Sequence, residues 1–361
     1  MKTPSWVSSQ KSYIFIFNVG RGLSVFIRTA LNQGIIYDFG SSDEFKPTEF
    51  LKENIIPYLD KYNGNYIAQA IISHPHSDHI AEISSLSDKM LYPALLTCPH
   101  DKTEGSKKPE ALDWERIKNP EYSKDLTEIY RSMYKGRSLP LQTVSYESSR
   151  VIPNLLYGIY YVRPPVVDVI FQNNDQEYGN GLSLLLYYRH GYHSILIPGD
   201  INPQCMEHIL DEDYGMEKRF TVFDKTKNPG WHKETSNQPS LRTILQSMDL
   251  SILLAPHHGL ESGFSSKLYE AMKSKKPGLV VISEKRHLSK QDGKVHPFYQ
   301  SENGAMGHKV SIEGEEKKDT SYSVSTRNGH HILIVFQGTG GSPKVYLEKD
   351  PKVLLNYMIY L

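Results

Sequence analysis

The chain has 361 residues, 39% of them apolar and 23% charged, which is enough for one large or two ordinary globular domains with a sizeable core. Lys plus Arg and Asp plus Glu number 41 each, so the formal net charge is zero and a protein that binds nucleic acid through bulk positive charge is excluded. Two cysteines exclude a disulfide framework and a thiolate zinc cage, while fifteen histidines raise the question of whether they cluster.

Residues 1–12 are polar and carry no secretory core. No window approaches the roughly 20 apolar residues that span a bilayer, so a cytoplasmic protein without a membrane partner is expected. Residues 13–19 and 23–28 are aromatic and β-branched runs, read as two strands joined by a tight hairpin at Gly20-Arg21-Gly22. A third strand is expected over 34–38, a helix over 47–61 and a buried strand over 67–73 that runs into a His-rich loop, with a short helix at 80–86. Residues 100–177 form a Tyr- and Lys-rich insertion, with surface helices expected within 107–135. Strands follow at 181–189 and 193–198 around the turn His190-Gly191-Tyr192, whose flanking His190 and His193 are expected to face solvent. A helix is expected at 203–210, strands at 250–255 and 278–283 around a helix at 264–274, and closing strands at 321–326 and 331–336.

Chemistry concentrates first in His74-Pro75-His76-Ser77-Asp78-His79, four metal-capable side chains within six residues at the end of a buried strand. Side chains two apart in an extended loop share a side, so His74 and His76 can converge on one ion. Asp78 and His79, at the turn into a helix, can address a neighbouring one. Imidazole and carboxylate suit Zn²⁺, Mn²⁺ or Fe. A His-rich surface loop is the bland alternative. Gly199-Asp200 and Pro256-His257-His258-Gly259 each follow an apolar strand. Either could be an ordinary turn; three such segments at three strand ends make a shared site the better account.

The His-x-His-x-Asp-His pattern resembles the metallo-β-lactamase superfamily. The strings Asn18-Val19-Gly20-Arg21-Gly22-Leu23-Ser24, Ile36-Tyr37-Asp38-Phe39-Gly40, Asn180-Gly181-Leu182-Ser183-Leu184, Pro198-Gly199-Asp200-Ile201, Ala255-Pro256-His257-His258-Gly259 and His296-Pro297 resemble the soluble β-lactamase-like domain of ComEC-type competence proteins. The resemblance covers about 13–100 and 178–310. It implies one α/β domain, a four-layer αββα sandwich with halves near 13–100 and 178–345 and the 100–177 insertion within it. It also implies two divalent ions, Zn²⁺ or Mn²⁺, with Asp200 bridging them and His257 as the second-ion histidine. Asn180 and Ser183 fall beside the substrate. Asn18 and Leu23 depart from the family's aspartates in the opening hairpin, and no separate third histidine for the first ion is evident among His100, His190 and His193.

Two such ions would generate a metal-bound hydroxide from water near neutral pH. Asp78 would take part in catalysis as well as ligation. His258 and His296 are open either as general acid or phosphate clamp, or as structural histidines. Asp38, at a strand end, either orients a ligand histidine or caps the turn. The leading expectation is a dinuclear-metal phosphodiesterase or nuclease acting on nucleic acid or a nucleotide. A small-molecule ester, thioester or lactam hydrolase is the second enzyme reading, which a third histidine ligand would favour. A metal-containing binding module is the non-enzymatic one. Segment 100–177 is the expected place for substrate selection or for contact with a protein partner.

Overall fold

The structure, a computed structural model, describes residues 11–62, 64–74, 76–97, 99, 155–162, 164–171, 175–211, 221–224, 230–233, 240–284, 294–338 and 341–359. Alternation of side chains along the strands builds the layers. In β1 (Ser12–Ile16), Ile14 and Ile16 point to one face while Tyr13 and Phe15 point to the other, and all four are fully buried. Ile14 and Ile16 share a core with alternate residues of strands far along the chain: Ile195 and Ile197, Ile252 and Leu254, Leu279 and Val281, Ile332 and Ile334. This is the seam between two sheets packed face to face. Phe15 joins the other core, where its ring and that of Phe17 meet Phe50 of the first helix at 6.5 and 5.7 Å. Burying each such side chain contributes about 1.5–3 kcal/mol, which is why strands this regular in apolar content are covered on both faces.

The remaining strands, in chain order, are β2 (Val25–Arg28), β3 (Gly34–Tyr37), β4 (Ile67–Ile71), β5 (Pro93–Thr97), β6 (Leu155–Tyr160), β7 (Leu185–His190), β8 (His193–Ile197), β9 (Thr221–Asp224), β10 (Gly230–Lys233), β11 (Ile252–Leu254), β12 (Leu279–Ile282), β13 (Ser311–Ile312), β14 (Glu315–Glu316), β15 (Ser323–Ser325), β16 (His331–Phe336) and β17 (Lys344–Glu348). One sheet has the order β14-β13-β17-β16-β1-β2-β3-β4-β5. The other has the order β15-β12-β11-β8-β7-β6, and β9 pairs with β10 alone. The helices are α1 (Pro47–Asn54), α2 (Ser77–Ile80), α3 (Pro164–Ile170), α4 (Asp175–Gly181), α5 (Pro203–Asp211), α6 (Leu241–Ser247), α7 (Ser266–Ala271) and α8 (Pro351–Ile359). Helices α1 and α8 cover the outer face of the nine-stranded sheet. The mutually packed α5, α6 and α7 share their core with Leu196 and Leu253 of the six-stranded one. The architecture is a four-layer αββα sandwich. Among the described residues no helix is long and apolar enough to cross a membrane.

Several expectations change in detail. The connection between β1 and β2 spans Phe17 to Ser24 rather than a three-residue turn, closed by Phe17 N–H donating to Ser24 O at 3.0 Å. Helix α1 stops at Asn54, because Pro57 cannot donate to the α-helical ladder and the chain continues as a 3-10 turn over Ile56–Tyr58. The helix expected at 80–86 begins earlier, at Ser77, and gives way to a 3-10 turn over Ile83–Ser87. Residues 175–181 are helical, so the strand expected from 181 starts at Leu185. His190 and His193 are 2% and 3% exposed rather than solvent-facing, since the turn between them packs against Gly338. The two sequence halves do not map onto the two sheets: β16 and β17 return to the first sheet, with β16 antiparallel to β1. At the end of the 100–177 stretch, β6 is an edge strand paired with β7. The helices expected within 107–135 lie outside the described residues.

Candidate metal centre

Strands β3 and β4 of one sheet run parallel, as do β8, β11 and β12 of the other, and their carboxyl ends meet at one edge of the sandwich. Each of these ends delivers a polar side chain. Asp38 follows β3, Ser73 and His74 follow β4, Asp200 follows β8, His257 and His258 follow β11, and Ser283 follows β12. Because α2 starts inside the His-rich motif, Asp78 and His79 stand in its single turn, with His79 N–H donating to His76 O at 2.9 Å.

The centre of the site is one oxygen. Asp200 Oδ2 lies 3.3 Å from His79 Nε2, 3.4 Å from His258 Nε2, and 3.9 Å from both His74 Nε2 and His257 Nε2. Asp78 Oδ2 lies 3.6 Å from the same His258 nitrogen. Two groups of ligand atoms fall within 4.8 Å of one another among the described residues: His74, His79 and Asp200, and Asp78, His79 and His258. His74 and His79 are fully buried, Asp200 and His258 nearly so.

The other ring nitrogens are held from behind. Asp38, at a left-handed φ of 60°, accepts from Ser73 N–H through Oδ1 at 2.7 Å. Its Oδ2 accepts from Ser73 Oγ–H and from His79 Nδ1–H, both at 2.7 Å. Ser73 Oγ is also 2.9 Å from His74 Nδ1, and Ser183 Oγ lies 3.5 Å from the same atom. His258 Nδ1–H donates to the Ser283 carbonyl at 2.9 Å. Each of these bonds fixes the tautomer that leaves Nε2 as the free donor of a lone pair. The Nε2 atoms of His74, His79 and His258 are buried with no hydrogen-bond partner. Three orphaned imidazole nitrogens converging on a carboxylate oxygen are costly unless a cation satisfies them, so the residues fit a divalent metal. The donor set of imidazole and carboxylate suits Zn²⁺, Mn²⁺ or Fe and does not single one out.

The electrostatics agree. Burial alone would lower the pKa of His258, but Asp200 and Asp78 outweigh it and raise it to about 10. Asp200 and Asp38 likewise overcome burial to raise His79 well above the ordinary imidazole value. Burial, then the neighbouring His79 and His76, hold His74 well below it. Burial acts against ionisation of Asp200, yet His258 and His79 hold its pKa well below the usual carboxylate range. A divalent cation would take over the charge that those imidazolium protons carry.

The remaining sequence-predicted residues divide. His258, expected as a general acid or clamp, stands in the ligand group with Asp78 and His79, because its Nδ1 is committed to Ser283. His257, expected as the second-ion histidine, belongs to neither compact group. Its Nδ1 is bonded to Ser262 Oγ at 2.8 Å and its Nε2 lies 3.9 Å from Asp200 Oδ2. The His76 ring is 4.4 Å from that of His74 and packs directly on Gly179, where a side chain would strike His76 Nε2. Ser183 reaches His74 from behind, and Asn180 is buried with its Oδ1 unpartnered. His296 belongs to neither ligand group: its ring stacks on Phe264 at 4.2 Å and 3°, and its Nδ1 accepts from Phe298 N–H at 3.3 Å, which caps a turn. Sequence reasoning missed Ser73, Ser262 and Ser283. Ser73 immediately precedes the His-rich motif and Ser283 ends a strand as Asp200 nearly does, so position was the available signal.

No protein-family profile matches the chain, and no curated protein does. Among solved structures it is similar to the CmlA beta-hydroxylase E377D mutant, at 11% identity over 78% of this chain and 46% of that one, TM-score 0.37. It is similar to Tm1679, a metal-dependent hydrolase of the beta-lactamase superfamily, at 15% identity over 75% of this chain and 87% of that one, TM-score 0.36. It is also similar to CmlA, a diiron beta-hydroxylase from Streptomyces venezuelae, at 11% identity over 74% of this chain and 44% of that one, TM-score 0.35. The chain thus spans less than half the length of the CmlA chains. Likeness this distant carries nothing about chemistry, and the αββα assignment rests on sheet order and on where the strand ends bring the ligand residues.

Proposed function

We propose that the chain is a metal-dependent hydrolase and, within that class, a phosphodiesterase or nuclease that holds two divalent ions, Zn²⁺ or Mn²⁺. The observation that carries the reading is the convergence of four imidazole Nε2 atoms on Asp200 Oδ2, with Asp78 beside them. His74, His76, Asp78, His79, Asp200, His257 and His258 would hold the ions. Two bound divalent ions supply Lewis acidity toward a scissile phosphoryl or carbonyl group and lower the pKa of water. The chain's own contribution is preorganisation: Asp38, Ser73 and Ser283 keep the ligand rings in one tautomer and one orientation.

A phosphodiester is favoured over other esters by the resemblance of the six strings to ComEC-type β-lactamase-like domains. The opening loop adds a cation: Arg21 is exposed at its tip, and the loop is tied to the site by Leu23 N–H donating to Asp78 O at 3.3 Å. An exposed guanidinium on this loop supports the reading of an anionic substrate without any excess of charge over the whole chain. A second reading, a hydrolase of small esters, thioesters or lactams, is favoured by His257, whose Nε2 adds a further imidazole to the cluster.

The test is incubation with Zn²⁺ or Mn²⁺ and linear DNA, circular DNA, RNA and bis-p-nitrophenyl phosphate, beside p-nitrophenyl acetate and a chromogenic lactam. The expected result is metal-dependent cleavage of a phosphodiester, absent from an Asp78→Ala, His79→Ala double variant. Turnover of the ester or lactam alone would select the second reading. Bound metal with no cleavage of any substrate would leave the metal-containing binding module, and fewer than one bound ion per chain would overturn the proposal.

A further inference from the structure

The segment that carries His257 and His258 continues into a 3-10 turn over Glu261–Gly263, and a second 3-10 turn, Pro297–Gln300, lies beside it. His296 N–H donates to Gly259 O at 2.8 Å, and Leu260 and Val295 form an antiparallel bridge. The first turn is pressed against the metal centre. Ser262 Oγ is 2.8 Å from His257 Nδ1, and a side chain at Gly263 would lie 2.8 Å from His257 Cβ and 2.7 Å from Pro256 O. Tyr299 O–H donates to Gly263 O at 3.4 Å, which joins the two turns.

A stack of aromatic rings stands at this junction. Phe264 and His296 lie parallel, with centroids 4.2 Å apart and planes within 3°. Around Phe264 are Phe298 at 5.1 Å, Tyr299 at 5.7 Å and Tyr269 of α7 at 5.9 Å. Phe298 and Tyr299 are farther from His296, at 6.5 and 6.1 Å. His296 is therefore the outer ring of the stack, and no further ring among the described residues meets it. Tyr269 and Tyr299 are buried, whereas Phe264, His296 and Phe298 stay partly exposed. The imidazole is held in place: its Nδ1 accepts from Phe298 N–H at 3.3 Å, and the parallel contact with Phe264 fixes its plane.

A flat ring that is already immobilised offers a stacking surface at little cost in conformational entropy. Glu261, exposed in the adjoining turn, opposes a second phosphate here and leaves an uncharged planar group as the better occupant. We infer that His296, backed by Phe264, is the stacking subsite for the nucleobase attached to the scissile phosphate. The inference rests on the phosphodiesterase reading above and narrows its substrate to nucleotidic esters. Base identity is largely unread, because every base has a π-face. His296 then binds substrate through its ring rather than serving as a general acid, and Phe264 is a positioning residue that supports it.

Calorimetric titration of the Mn²⁺-loaded full chain with thymidine 5′-monophosphate and with methyl phosphate isolates the base, since both ligands carry the phosphate. The expected result is about 5- to 140-fold tighter binding of the nucleotide, the contribution of one base–aromatic stack. His296→Phe keeps a ring and should keep that ratio. His296→Gln keeps an acceptor for Phe298 N–H but removes the ring, and should bring the ratio close to one. Phe264→Leu, which retains apolar volume behind the outer ring, is the second variant and should lower the ratio as well. The fluorescence of 2-aminopurine riboside 5′-phosphate, which falls when the base is stacked, should be quenched by the wild type and His296→Phe and not by His296→Gln. A ratio near one in the wild type, or a ratio that survives in His296→Gln, would overturn the inference and leave the phosphodiesterase reading standing. Binding of neither ligand overturns the inference, and with no phosphodiester cleaved as well it overturns the reading beneath it.

Discussion

Asp38 is placed in a left-handed backbone so that one carboxylate can serve Ser73 twice and His79 once. Asp38→Asn keeps the shape but offers a single acceptor oxygen, so His79 loses its fixed tautomer. Metal affinity should fall about 10–100-fold, measured by competition with a chromophoric chelator; unchanged affinity would mean that Asp38 only caps its turn. His331 makes a separate residue-scale point. Burial, which outweighs the favourable Asp350, holds its pKa at about 4, and its Nδ1 accepts from Asn18 N–H at 3.2 Å. The unfolded chain takes up that proton near pH 6.5 while the folded chain resists it until about pH 4. His331 therefore costs no stability above about pH 6.5, and stability is lost progressively as pH falls toward 4, by about 3 kcal/mol at most. Urea midpoints measured across this window should fall less steeply in His331→Asn, which keeps an acceptor and cannot titrate; parallel curves would contradict the assignment. The ligand types in His74 to His79 were legible from spacing, because the whole cluster lies within one short loop. The different surroundings of His257 and His258 were not, because identical neighbours are distinguished only by backbone dihedrals and by what meets each Nδ1.

The opening loop between β1 and β2 shows how an element without ligands shapes the site. Gly22 has φ 136°, and a side chain there would run into the Asp78 carbonyl. Its own carbonyl accepts Ser283 Oγ–H at 2.8 Å, and the Ser283 carbonyl in turn holds His258. One loop residue is thus wedged between the ligand-bearing ends of both sheets. Gly22→Ala should destabilise the fold by about 1–3 kcal/mol through steric displacement and should weaken metal binding with it. Denaturation and metal titration on the same variant check this. An alanine variant with normal stability and affinity would show that the loop yields freely. Most strands were readable from alternation and β-branched content, as in 13–19 and 331–336. Their ends were less so: Pro57 stops α1, and residues 175–181 coil into a helix that leads into an apolar run and ends at Gly181, where a side chain would strike Val167, Phe171 and Cys205.

Across the whole molecule the candidate metal centre draws its residues from both sheets. His74, His76, Asp78 and His79 follow a strand of the nine-stranded sheet, whereas Asp200, His257 and His258 follow strands of the six-stranded one. Ions bound there cross-link the layers in the native state only. Saturation at about a hundredfold over Kd should add about 2.7 kcal/mol, seen as a Tm several degrees higher with Mn²⁺ or Zn²⁺ than with chelator; Asp200→Asn should abolish the difference. An equal Tm with and without metal would argue against ions spanning the sheets. By itself the sequence determined that imidazole and carboxylate side chains stand at three strand ends, because strand periodicity and a compact His/Asp motif are local properties; the sandwich class came with the family resemblance that these motifs carry. Tertiary structure decided that β16 and β17 return beside β1, that the turn holding His190 and His193 is buried, and which nitrogen of each histidine faces Asp200. Those outcomes depend on pairings across hundreds of residues, where burial of the inter-sheet core and satisfaction of buried polar atoms select one arrangement among many with the same local pattern.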